Sequence, residues 1–202
     1  MSPLSPSLRS AARPSVLVAL LGWVLAALAS AAVLSPSSPR PLVPALIVLT
    51  TALGLGAHRR WPALRALVAA IDVRWLLGYQ AIARIGFGVA FLARASEGRI
   101  HPDFARIAGP GDLLAGGLAA ALVVAGSLSR GRAVRAATLA WSAVGLLDML
   151  AVIVTAQRIV LFGGGPSALG ILEMPYTLLP TLIVPSILLS HAAIARATLT
   201  RS

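Results

Sequence analysis

Arg84 and Asp148 each stand inside a long apolar run, where an ionisable side chain is out of place. A charge at the centre of a bilayer costs about 2.5–3.5 kcal/mol even on a lenient insertion scale, so such residues turn inward and find a partner. Arg84 lies nine residues into its run (75–93) and Asp148 twelve into its own (136–156). If both runs are helices crossing in the same direction, the two differ in depth by about 4.5 Å, a gap an arginine side chain spans. The spacing predicts a pair, or a small shared polar cavity. Gln80, one turn before Arg84, adds a hydrogen-bonding group, and Gly145, three residues before Asp148, leaves space for a neighbouring side chain. Chemically this is either an ion pair that fixes helix packing or a site that relays protons or holds a solute or ion.

Three further groups are candidates for the same chemistry. Asp112 follows Gly109-Pro110-Gly111 at the outer start of an apolar run. Its ordinary role there is an N-cap that accepts from free backbone N–H groups, with contact to Arg84 as the rival. His191 is placed near the cytoplasmic end of the last run and His58 near that of the second. Two imidazoles could bracket a haem, but His58 sits beside Arg59 and Arg60 at headgroup level, so no cofactor is expected. Glu97, His101 and Asp103 share a loop whose spacing is too loose for a metal site, and none is expected. Pro180 and Pro185 fall inside the last run, where each removes a backbone hydrogen bond and kinks the helix. Broken membrane helices survive where the freed carbonyls meet protein or water, and transporters bind substrates with them. There is no Cys, hence no thiolate site or Cys nucleophile. No Lys-Ser/Thr follows the glycines as a phosphate loop requires.

The elements that must position these residues are apolar runs of roughly the 20 residues needed to cross a bilayer. They fall at 16–34, 42–57, 75–93, 111–128, 136–156 and 175–195, with an interfacial helix at 62–71 between the second and third. Tails at 1–14 and 198–202 flank a membrane domain at 15–197. Arg9, Arg13 and the small residues Ala29-Ser30-Ala31 also resemble a cleavable signal, but the apolar run exceeds the usual core of about 7–15 residues. Gly22, Ala26 and Ser30, and likewise Gly117, Ala121 and Ala125, recur every four residues and are expected to let backbones approach closely.

Composition agrees. The 202 residues are 58% hydrophobic and 11% charged, against about 25% charged in soluble domains. The net charge of +11 is carried entirely by arginine, in short clusters between the apolar runs. Nucleic-acid binders gather charge on one face, so no nucleic-acid partner is expected. The clusters alternate as membrane insertion requires. Eleven arginines (9, 13, 59, 60, 65, 74, 130, 132, 135, 196 and 201) fall on one side, and five (40, 94, 99, 106 and 158) on the other. Six spans with both ends in the cytoplasm produce this count.

From Arg74 onward the chain resembles an uncharacterised group of bacterial multi-pass inner-membrane proteins with no established activity. The likeness rests on Ala83-Arg84-Ile85-Gly86-Phe87, then Pro102, Phe104 and Ala105, then Ala108-Gly109-Pro110-Gly111-Asp112. It continues through Gly145-Leu146-Leu147-Asp148 to Leu179-Pro180, Val184-Pro185 and His191. Other members carry an extra Pro or Leu where this chain has Ile107. The resemblance implies the architecture and the same polar residues, not an activity. The resulting expectation is an all-α, polytopic transmembrane bundle in the bacterial inner membrane, with the lipid bilayer as its principal partner. Its leading function is a small-solute or ion transporter, with Arg84, Asp148, Gln80, Asp112 and His191 as binding candidates. A non-catalytic subunit of a larger assembly and a membrane-embedded enzyme are the alternatives; no nucleophile–base spacing supports catalysis.

Overall fold

The computed structural model describes residues 13–129, 131–163 and 170–200. Among them are seven α-helices and no strand: α1 (Pro14–Val33), α2 (Leu42–Arg60), α3 (Pro62–Ala70), α4 (Val73–Ser96), α5 (Pro102–Leu128), α6 (Arg132–Phe162) and α7 (Val184–Leu199). A 3₁₀ turn, Gly170–Leu172, and a π-helical turn, Leu179–Ile183, precede α7. Six helices are long and apolar enough to cross a membrane, the π-helical turn and α7 together forming the last, Leu179–Leu199. The short α3 lies between the second and third. This is a multi-pass membrane protein.

The distribution of side chains has the inverse of a soluble protein's polarity. Leu21, Leu53, Ile82, Leu118 and Leu147 are exposed, whereas Gln80, Arg84, Asp112, Ser142 and His191 are buried. In water such a surface would be a contiguous apolar liability; in hydrocarbon it is the favourable arrangement, with polar groups sheltered inside.

The bundle is tightest between α4 and α5, and glycines set the distance. A Cβ on Gly88 would lie 2.9 Å from the Gly109 carbonyl oxygen, and one on Gly116 2.8 Å from Ile85 Cγ1. Only hydrogen fits, so the backbones meet directly. The expected small-residue stripes are displaced from the real contacts. A Cβ at Gly22 or Gly117 would meet nothing within 4 Å from another element, while α1 buries Ala27 and Ala31, and α5 buries Ala115, Gly116 and Ala119. Small residues are so frequent here that several stripes compete, and the backbone path chooses among them.

Helix α6 lies against α5, with Trp141 Nε1 donating to the Ala115 carbonyl at 2.9 Å. Helix α7 closes the bundle over α4: Tyr79 and Ser186 share a hydroxyl–hydroxyl bond. Near its start, α1 packs Val16 against Ala63 and Leu67 of α3.

Several helices run beyond the expected spans. The main correction is at α5, which begins at Pro102 rather than 111. Pro102 occupies its first turn, where the missing N–H costs nothing, and His101 Nδ1 caps it by accepting from Asp103 N–H. Gly109-Pro110-Gly111 is therefore helix interior. At the last span, Pro175 lies in a turn rather than in the first helical turn, and the helix extends to Leu199.

Contacts sort the described arginines into two ends. Arg196 Nη1 lies 2.9 Å from His58 Nε2, and Arg65 donates to the Arg59 carbonyl. At the opposite end Arg40 donates to the Leu161 carbonyl, Arg99 faces Glu173 and Arg106 pairs with Asp103. Arg9, Arg130 and Arg201 of the charge count, and Gly164-Gly165-Pro166 of the connection after α6, lie outside the described residues.

Candidate functional site

Arg84 sits near the middle of α4 and is wholly buried. Its guanidinium has five N–H donors in a fixed planar fork, and all five meet acceptors. Nε donates to Gln80 Oε1 at 3.0 Å, one turn back on the same helix. Nη1 donates to Asp112 Oδ1 at 2.9 Å and to Asp148 Oδ2 at 2.7 Å. Nη2 donates to the Gly145 carbonyl at 2.7 Å and faces His191 Nε2 at 3.4 Å. Four long helices thus converge on one cation.

The local sequence makes this convergence feasible. A Cβ at Gly145 would come within 2.9 Å of His191 Cε1, so the glycine admits the imidazole. At Gly111 a Cβ would overlap the Asp148 carboxylate, so that glycine admits the carboxylate from α6. Ring geometry also settles the histidine tautomer. A nitrogen facing an arginine N–H can only accept, which leaves the proton on Nδ1 to be donated to Ser142 Oγ, 3.0 Å away. Trp141 stacks on the ring at a centroid distance of 4.9 Å and fixes its plane. Gln80 Nε2 donates to Ser190 Oγ at 2.7 Å and to the Ile187 carbonyl at 3.2 Å. Through Gln80 and His191, Arg84 is tied to α7 at two points.

All five candidates named from the sequence are brought together, two of them by routes the sequence reading got wrong. Asp112 is not an N-cap, because its helix starts ten residues earlier; it is an interior residue aimed at Arg84. His191 is not at the cytoplasmic end. The last membrane helix begins at Leu179 and continues to Leu199, which moves His191 to the level of Arg84. Ser142, Trp141 and Ser190 were missed. Ser142 and Gly145 recur with Asp148 at three-residue steps along one face of α6, a signal present in the sequence.

Charge does not balance by protein groups alone. One guanidinium faces two carboxylates, and the imidazole serves as a neutral acceptor. Asp148 is the more accessible carboxylate, its side chain 18% exposed against 5% for Asp112. Arg84 and Asp112 also border a cavity of about 50 Å³ with Phe91, Phe104, Gln157 and Pro180, room for a few water molecules. Both amide atoms of Gln157 are buried without a hydrogen-bond partner. Gln157 is nine residues beyond Asp148 on α6, so the cavity runs about 13.5 Å along the helix from the network.

The break in the last span takes the form of a π-helical turn rather than a simple kink. The Val184 N–H reaches the Leu179 carbonyl, five residues back, and Pro180 lies within the turn. Thr181 Oγ1 donates to the Thr177 carbonyl at 3.0 Å, four residues back along the chain. Such turns are frequent at functional sites.

The other candidates do not assemble. His58 faces Arg196, while the two ring nitrogens of His191 face Arg84 and Ser142, so the two imidazoles are not turned toward a common site. Glu97, just after α4, faces Arg94, while Asp103, in the first turn of α5, takes the Arg106 guanidinium. Among the described residues no group of three or more His, Cys, Asp or Glu side chains could hold a metal ion.

No curated protein and no solved structure matches this chain. One family model does, over residues 40–198, described as a domain of unknown function (DUF8737). The match takes in α2 and reaches into the last turn of α7, a longer stretch than the resemblance seen from Arg74 onward, and it includes every residue of the Arg84 network. Because the match covers most of its length, the chain belongs to the DUF8737 family of domains of unknown function.

Proposed function

We propose that this chain is a small-solute or ion transporter of the bacterial inner membrane, with both ends of the bundle in the cytoplasm and the Arg84 network as its coupling site. The observation that carries this reading is the charge imbalance at mid-membrane. Arg84 neutralises one of two carboxylates, and leaving a net negative charge in a low-dielectric interior is costly. A proton or an alkali cation cancels it. Asp148, the more exposed carboxylate, is the exchange point, and Asp112 holds Arg84 in place. Loading or unloading the cation changes how strongly Arg84 is held. That change reaches α7 through Gln80 and His191, next to the π-helical turn, the element best suited to bend. The cavity bordered by Phe91, Phe104 and Gln157 gives an ion, or a solute no larger than a few water molecules, an apolar wall and one amide for recognition.

The test is dissipation of an imposed proton or sodium gradient by proteoliposomes. Parent protein should dissipate it, and Asp148→Asn, equally well folded, should not. Equal leak from parent, Asp148→Asn and protein-free vesicles removes the transport reading.

The complete saturation of the guanidinium favours a second reading, in which the network only locks helices in a non-catalytic subunit. Buried ion networks of this kind can often be replaced by apolar residues without loss of stability. The triple variant Arg84→Met, Asp112→Leu, Asp148→Leu separates the two: under the packing reading it folds and restores the deletion phenotype, under the transport reading it folds and does not. Nothing favours an enzyme. For His191 to act as base toward Ser142, Nδ1 would have to accept, which places the ring proton on Nε2 against the Arg84 N–H.

A further inference from the structure

A second concavity, about 540 Å³ in volume, lies away from the Arg84 network, between α1, α2, α3 and α7. Its size is that of a ligand site, typically about 300–1,000 Å³. The two ends differ sharply in chemistry. At the α2 and α7 C-terminal end stand His58, Arg59, Arg196 and Trp61; deeper in, the walls are residues such as Leu53 and Leu189. Among the described residues no carboxylate lines it. Arg196 Nη1 donates to His58 Nε2, and Arg59 is approached by Arg65 through its backbone carbonyl, so among the described residues the rim holds positive charge with no Asp or Glu lining it.

The depth of the groove selects its occupant. From Arg59 to Thr50, the deepest lining residue on α2, is nine residues, or about 13.5 Å of helix. That is close to half of the roughly 30 Å hydrocarbon thickness, the reach of an acyl chain from one leaflet. A helix from a second copy would need a groove running the full thickness. Trp61, beside the rim, is of the type enriched at headgroup level. The geometry points to a site for an anionic phospholipid of the leaflet that contacts this arginine-rich end. Its phosphate lies between Arg59 and Arg196, and one acyl chain lies along Leu53 and Leu189. Basic pockets between membrane helices on the cytoplasmic side are suited to such headgroups. The bound lipid fills the space between α1 and the rest of the bundle at the end where α1 is held chiefly by Val16 on α3.

The experiment is native mass spectrometry of the full chain released from detergent carrying either phosphatidylglycerol or phosphatidylcholine, read as the apparent affinity for the first retained lipid. Phosphatidylglycerol should bind more tightly than phosphatidylcholine. Arg59→Gln with Arg196→Gln should weaken it roughly 30-fold, from about 1 kcal/mol for each of two charges near the surface. Arg13→Gln with Arg132→Gln should leave it unchanged. Ala193→Phe, which fills the shaft without touching the charges, should also weaken binding and guards against a folding defect in the first variant. Glycerol phosphate, which lacks acyl chains, should not displace the lipid. Equal retention of the two lipids overturns the site, as does undiminished phosphatidylglycerol binding in the arginine variant or displacement by glycerol phosphate. A disulfide between two copies of an Ala193→Cys chain in the membrane would assign the groove to a second copy instead.

Discussion

At the residue scale the molecule turns on the stoichiometry of one guanidinium and two carboxylates, and mutations should have unequal effects. Arg84→Met leaves the buried Asp112 and the half-buried Asp148 without their guanidinium, the kind of loss that costs about 3–5 kcal/mol. Asp148→Asn keeps a hydrogen-bond acceptor near Nη1 and brings the site to neutrality, and should cost no more than about 1.5 kcal/mol. Thermal unfolding in detergent should rank them in that order; equal destabilisation would mean that charge balance is not what the site is built around. Gly111→Ala is the steric counterpart. Its methyl group must displace the Asp148 carboxylate, at about 1–3 kcal/mol, and a wild-type melting temperature would contradict the notch. Much of this was legible in the sequence, because a charge in an apolar run has few ways to be satisfied: the Arg84–Asp148 contact, the Gln80 bond and the space at Gly145 all follow from helical spacing. Asp112 was misjudged because Gly-Pro-Gly ahead of an apolar run carries the same residues as a helix start.

At the scale of elements, the sequence signalled six spans through hydropathy but left their ends open. Pro102 and Pro110 compete as starting points for α5, and capping by His101 decides in favour of the first. The register error at the last span has the same origin. Pro175, Pro180 and Pro185 are each compatible with a first turn, and the sequence does not choose among them; the membrane helix begins at Leu179. The π-helical turn itself has no sequence signature beyond the prolines. Replacing Pro180 and Pro185 with Ala restores two backbone donors and should raise the melting temperature while slowing gradient dissipation, the trade between stability and flexibility expected of a moving part. Raised stability with unchanged flux would make the turn a packing device.

At the scale of the whole molecule, the inverted polarity describes a multi-pass membrane bundle, and the two-ended segregation of arginine predicts which end faces the cytoplasm. Having no cysteine, the chain is open to single-cysteine labelling. Ser37→Cys and Gly98→Cys, in the connections before α2 and after α4, should react with an impermeant maleimide added to intact cells. Ser129→Cys and Thr200→Cys should react only after lysis. The reverse pattern would invert the topology and move the arginine-rich end to the outer leaflet. The expected orientation rests on local charge, which governs insertion, whereas the way four helices meet at one side chain depends on long-range packing, of which only the spacing of Ser142, Gly145 and Asp148 gives a local trace.

If the Arg84 network carries one compensating cation at mid-membrane, the cation leaves a spectroscopic trace on the carboxylates. Infrared difference spectroscopy of the purified protein reads it, recorded on exchanging acidic for neutral buffer and sodium for choline. In the parent, one of the two exchanges should change an aspartate carboxyl band, and that change should vanish in both Asp148→Asn and Asp112→Asn. A parent spectrum indifferent to both exchanges, or a response that persists in Asp148→Asn, would contradict the account.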